Sequence, residues 1–259
     1  MQVSRRELFR YAAVGSAALG AVALGSTAVA SAAPGRATLL DYSGGLPDPD
    51  AIRAAGHVGA VRYVSDRRPG AEWMIGKPML ADEAAALAAA GLEVVSCYQF
   101  GKAATADWRG GLEAGKRHAA RGLELHRAAG GPDGRPIYAS IDDNPTSVDI
   151  VTKVVPYLLG WESVVGRENT GVYANSGTID HLLVTGVGSF YWQHDWGTPE
   201  GYVHPAAHLH QFEIDKRTVD GIGVDLNAIL KSDYGQWSLG GGARPGPPPP
   251  PHPPPPGGG

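Results

Sequence analysis

Asp142 ends the apolar run Pro136-Ile137-Tyr138-Ala139-Ser140-Ile141 and is followed by Asp143 and Asn144. Side chains alternate along a strand, so Tyr138, Ser140 and Asp142 share one face and Ile137, Ala139 and Ile141 the other. A carboxylate at the tip of a buried strand is costly unless a site uses it. Similar endings recur at Asp41 in Leu39-Leu40-Asp41-Tyr42-Ser43 and at Asp225 in Val224-Asp225-Leu226-Asn227. Gln99 follows Val94-Val95-Ser96-Cys97-Tyr98, and Gln211 follows Leu209-His210. Acids and amides gathered at one mouth suit proton transfer. The plainer reading makes the three acids strand-end caps paired with Arg62, Arg67 or Lys102.

Other side chains widen the candidate site. Tyr98, Tyr173, Tyr191, Trp192 and Trp196 lie at or beyond run ends, where flat faces stack on rings or pack the interior. Trp192 and Tyr98 are the better site candidates of these, and Arg62 and Gln211 are candidates to bind hydroxyls or a carboxylate. His194, His204, His208 and His210 form a rival signal for a zinc-dependent hydrolase or deacetylase. Their spacing matches no strong metal motif, so no metal site is expected. No nucleophile elbow, P-loop or dinucleotide fingerprint stands in a credible setting, and no cofactor is expected. Cys97, the lone cysteine, lies in an apolar run and reads as a buried, inert thiol.

Eight apolar runs must position these groups, near 38–42, 59–65, 93–99, 136–142, 170–174, 188–194, 206–212 and 221–225. Eight strands suit a (β/α) barrel, whose chemistry collects at one face. Helical segments fit at Ala51 to Ala55, Ala81 to Ala90, Trp108 to Ala129, Val148 to Val165 and Asp180 to Val184. Gly110, Gly111, Gly115 and Gly122 weaken the third, and Pro156 predicts a kink in the fourth. After the sixth run the connections are too short for parallel crossovers, whereas antiparallel returns need little chain. The expected α/β fold is therefore an irregular TIM-like barrel, about five βα units followed by three strands with short connections.

The ends are expected to lie outside this domain. Ser4-Arg5-Arg6-Glu7-Leu8-Phe9-Arg10, an uncharged Ala/Gly/Val run and small residues at Ala28, Ala30 and Ala32 predict a twin-arginine signal peptide over 1–32. A retained anchor is the alternative. Residues 240–259, rich in Gly and Pro, have no apolar surface to bury and predict a disordered tail. The domain is then 33–239. Losing Arg5, Arg6, Glu7 and Arg10 takes the 22 basic and 26 acidic residues to 19 and 25. A negative chain without a basic run argues against nucleic-acid binding. The expected partner during export is the twin-arginine translocase, with the protein itself a monomer in the cell envelope or outside the cell.

The order of these motifs resembles family-25 glycoside hydrolases, the Chalaropsis-type lysozymes. Asp41-Tyr42-Ser43 resembles that family's Asp-x-Ser, and Tyr98-Gln99-Phe100 its Tyr-His-Phe. Val172-Tyr173-Ala174-Asn175, Trp192-Gln193-His194-Asp195-Trp196, His210-Gln211-Phe212 and Val224-Asp225-Leu226-Asn227 resemble its later strand ends, in order. The chain is more similar still to actinobacterial exported glycoside-hydrolase-like domains, a resemblance that includes Val61-Arg62-Tyr63-Val64-Ser65-Asp66. It implies cleavage of a peptidoglycan-type polysaccharide, with Asp142 as acid and Asp41 or Asp225 steadying an oxocarbenium-like centre or orienting water. Arg62, Tyr98, Gln99, Tyr173, Trp192 and Gln211 would surround the sugar. The family's Asp-x-Glu falls on Ser140 and Asp142, or in a shifted alignment on Asp142 and Asn144. Strand alternation favours the first. A glycan-binding protein without efficient turnover is the alternative function.

Overall fold

A computed structural model describes residues 36–240. The expected export segment lies outside the described residues, as does the expected tail beyond Gly240. Eight strands form a closed barrel in chain order: β1 Thr38–Asp41, β2 Gly59–Tyr63, β3 Glu93–Tyr98, β4 Ile137–Ser140, β5 Thr170–Ala174, β6 Phe190–Gln193, β7 Leu209–Val219 and β8 Ile222–Ile229. Pairing is parallel from β1 through β7. β8 runs antiparallel to both β7 and β1. The tight β7–β8 return is antiparallel, as its length requires, but β6 and β7 pair in parallel across residues 194–208, against the expectation from connection length: that stretch is long enough for a crossover without a helix. The expected TIM-like barrel is the fold.

Five helices cover the parallel half: α1 Pro49–Ala54, α2 Ala81–Ala89, α3 Gly111–Ala128, α4 Val155–Val165 and α5 Ser176–Thr185. Local chemistry sets their ends. The Asp48 carboxylate accepts from the Asp50 and Ala51 amides, and Pro49 fills the first helical position, where its missing N–H costs nothing. Asn175 caps α5 through the Thr178 amide, and Gly186 ends it in the left-handed conformation. The irregularity expected at Pro156 takes the form of a π-helical turn, Ile150–Val154, just before α4. A proline that lacks a donor and crowds the preceding turn accounts for it.

The barrel separates two kinds of core. Leu39, Val61, Val95, Cys97, Tyr138, Tyr173, Trp192 and Leu209 fill its interior. Alternate residues face outward, where Leu40 and Ala60 meet Ile52 and Leu87, and Tyr98 and Ile137 meet Trp161. α3 and α4 pack at close range. A methyl group on Gly115 would collide with the Tyr157 carbonyl, and one on Gly160 with that of Leu112. The glycines that weaken α3 as a helix thus let it approach its neighbour. Gly115→Ala should destabilise the fold by about 1–3 kcal/mol, as overpacking does, read as a lowered thermal midpoint with unchanged far-UV circular dichroism.

Candidate functional site

Asp41 and Asp225 meet because β8 is reversed. They are direct partners across the β1–β8 pair, as are Leu39 and Asn227. Opposed residues share a face, with Cβ atoms about 4.5–5.5 Å apart. Since Leu39 points inward, both carboxylates point into the barrel mouth. Two like charges so placed repel unless donors lie between them. Gln211 Nε2 donates to Asp41 Oδ2 at 2.9 Å and to Asp225 Oδ2 at 3.2 Å. Asn227 Nδ2 adds a bond to Asp41 Oδ2 at 2.8 Å, and the Tyr63 hydroxyl one to Oδ1 at 3.3 Å. Asp41 is only 4% exposed, so these three donors replace its solvent.

Groups with fixed donors orient the amides. The Tyr173 hydroxyl donates to Gln211 Oε1 at 2.5 Å, which turns the Gln211 NH2 toward the acids. Trp192 Nε1 can only donate, and does so to Asn227 Oδ1 at 2.8 Å, which turns the Asn227 NH2 to Asp41. Burial raises the Tyr173 pKa, and the charges of Asp142, Asp41 and Asp225 raise it further. The phenol therefore stays protonated as a donor. Its electrostatic surroundings include all three candidate acids.

Asp142 stands just past β4, after Ile141, whose amide still donates to the Tyr173 carbonyl. Gln99 Nε2 donates to its Oδ2 at 2.9 Å, and Lys102 Nζ lies 3.9 Å from the same atom. The side chain keeps 26% exposure, so it can meet a ligand while being held. Asp143 is turned instead to Arg109, 3.1 Å away. Asn144 has left the strand and accepts a bond from Asn175.

The structure brings together Asp41, Asp142, Asp225, Gln99, Tyr173 and Gln211, and places three other expected site residues elsewhere. Arg62 is fully buried on the outer face of β2. There it bonds Glu83 of α2 and the Tyr42 and Gly76 carbonyls, and its guanidinium lies over the Tyr42 ring. Tyr98, on the outer face of β3, stacks on His118 and meets the edge of Trp161. Trp192 does point inward, but at 1% exposure it lies beneath Tyr173 and cannot offer a face to a ring. Tyr191 faces outward and donates to the Val187 carbonyl, whereas Trp196, in the β6–β7 connection, is exposed.

Tyr63 and Asn227 escaped the sequence reading. Their signal was parity: each lies two residues from an inward-facing position, Val61 or Asp225. The four histidines disperse, bonding the Ile141 carbonyl, Asp180, the Tyr191 amide and Asp195 respectively. Among the described residues no group of three or more His, Cys, Asp or Glu is arranged to hold a metal ion. Cys97 is buried inside the barrel, and burial pushes its thiol pKa up.

A family model described as the Rv2525c-like, glycoside hydrolase-like domain matches residues 50–229. Rv2525c of Mycobacterium tuberculosis, named as a candidate peptidoglycan hydrolase, is 58% identical over 92% of this chain and 100% of its own length. The crystal structure of that protein, described as Tat-secreted and bound to L-tartrate, is 62% identical over the aligned part. It covers 78% of this chain and 99% of the solved one, with a TM-score of 0.77. The autolysin LytC of Streptococcus pneumoniae shares the fold at 15% identity and a TM-score of 0.53, over 77% of this chain and 48% of its own.

One histidine near the barrel gives a pH test. His208 Nδ1 accepts from the Tyr191 amide at 3.1 Å, which requires the neutral ring. Burial first, then Lys231, lowers its pKa from 6.5 to about 4. The unfolded chain therefore binds the extra proton across that window, so stability falls as pH drops from 6.5 toward 4. His208→Asn retains an acceptor without the titration and should flatten part of the slope of melting temperature against pH.

Proposed function

The chain belongs to the Rv2525c-like, glycoside hydrolase-like family, and on that footing we propose that it is an exported glycoside hydrolase of cell-envelope glycan. The observation that carries this reading is the partly exposed Asp142 carboxylate, held by Gln99 beside the phenol that Asp41 and Asp225 also influence. In this proposal Asp142 protonates the leaving glycosidic oxygen. The Asp41–Asp225 pair, held by its amide donors, steadies the positive charge that develops at the sugar. Gln99 fixes the acid, and Tyr173 and Gln211 fix the carboxylate pair. The substrate class follows the relative's name as a peptidoglycan hydrolase. Export through the twin-arginine pathway is supported by Arg5-Arg6 and by the description of the same relative as Tat-secreted. Residues 33–239 would be the exported domain.

One feature favours a second reading, a glycan-binding protein without efficient turnover. Ser140 and Asp142 stand where the lysozyme-type pattern has Asp and Glu, and Asp142 reaches one methylene less far. About 1 Å of misplacement can cost about 100-fold in rate.

Purified protein incubated with peptidoglycan sacculi should release reducing ends. Asp142→Asn should lower that release by at least about 100-fold without changing the melting temperature, the loss expected for a general acid. Tight binding by the wild type, with no release across a panel of wall polysaccharides, would sink the hydrolase and leave the binding protein.

A further inference from the structure

Lys77 lies in the β2–α2 connection and is 4% exposed, although an ammonium ion is costly to take out of water. Its charge is met by a carbonyl and a ring face. Nζ donates to the Gln99 carbonyl at 2.9 Å and sits 3.8 Å from the centroid of the Tyr63 ring. Those two residues are the donors that hold two separate acids. Gln99 Nε2 bonds Asp142, and the Tyr63 hydroxyl bonds Asp41. One buried cation thus touches a residue bonded to each of the two acids.

The surroundings make that contact a constraint. The Gln99 carbonyl takes a second bond from Ser65 Oγ at 2.8 Å. The Phe100 and Gly101 amides that follow are both bound by Asp107, each at 2.8 Å. The backbone after β3 is therefore held from three sides, and Lys77 also lies against the Tyr63 ring at the end of β2. Removing the ammonium would take the cation from the Tyr63 ring and one bond from the Gln99 carbonyl together.

We propose that Lys77 is a positioning residue that ties the two acidic positions of the mouth together, fixing Asp142 through Gln99 and Asp41 through Tyr63. The importance of that tie rests on reading those acids as the working groups, but the tie itself can be measured without turnover. Burial lowers the Lys77 pKa from 10.5 to about 8. Cys97 and Asp107 oppose the shift, and Arg68 and Arg62 add to it. Burial keeps the neighbouring Cys97 thiol protonated through this range, so it does not titrate alongside Lys77.

The test follows the carboxyl carbons of 13C-aspartate in the full chain by NMR, with signals assigned by Asp142→Asn and Asp41→Asn. In the wild type both signals should show an inflection near pH 8 as Lys77 loses its proton. Lys77→Met, similar in length and apolar, should abolish that inflection and displace both acid titrations. It should also lower reducing-end release by roughly tenfold or more, within the range that misplaced catalytic groups cost. A folded Lys77→Met protein with both acid titrations unmoved would overturn the proposal. If that variant does not fold, the wild-type inflection decides, and its absence overturns the proposal equally. A wild type that releases no reducing ends refutes the hydrolase reading alone, because the carboxyl titrations still report on Lys77.

Discussion

The site depends on an amide placed between two carboxylates. Asp41 and Asp225 are forced into register by the pairing of the first and last strands, and each would repel the other across the barrel mouth. The Gln211 NH2 group answers both at once, and its orientation is set by the Tyr173 hydroxyl on its other end. The Trp192 indole does the same for Asn227. Tyrosine and tryptophan here work as hydrogen-bond anchors beneath the mouth. Burial keeps the phenol protonated, and the indole has no proton-free state to adopt. The acids thus rest on groups whose donor role does not change with ordinary pH.

Much of the fold was legible in the sequence because strands and helices left different kinds of evidence. The eight apolar runs gave the strands, and the very short connection after the seventh gave the antiparallel return, whereas the parallel pairing of β6 with β7 ran against the expectation from connection length. The length of β7 was not legible. It continues through Glu213-Ile214-Asp215-Lys216-Arg217-Thr218, a polar stretch with no alternating apolar signal. Irregular pairing between Gln211 and Arg217 adds to the difficulty. The same irregularity lets the Asp215 amide bond Asp225 at 2.8 Å, so the feature that obscured the strand also helps to hold a site residue.

Within the site, the acids and amides at strand ends were found by position, whereas Arg62 and Tyr98 were assigned to the wrong face. The reason is that barrel strands are buried on both sides. In Gly59-Ala60-Val61-Arg62-Tyr63, neither face is polar enough to announce which one looks into the barrel. A shift of one residue then exchanges site for scaffold: Tyr63 for Arg62, and Gln99 for Tyr98. Arg62 proved to be a structural cation clasping Glu83, while Lys77, which carried no motif, lies against the site. Long-range contact distinguishes these two cations, and sequence spacing does not record it.

Closure of the barrel by its first and last strands also fixes when the acidic floor can come into being. The bonds from Gln211 and Asn227 to Asp41 join residues 170 and 186 positions apart. Such contacts close a very long loop of the chain, and the entropy of that closure opposes them. The five βα units can assemble their outer core without it, since α3, α4 and their strands bury Trp108, Tyr157 and Trp161 locally. A chain arrested before β8 docks would have a substantial hydrophobic core and only half of its carboxylate pair. The Asp41–Asp225 pair is in that sense a property of the closed barrel alone.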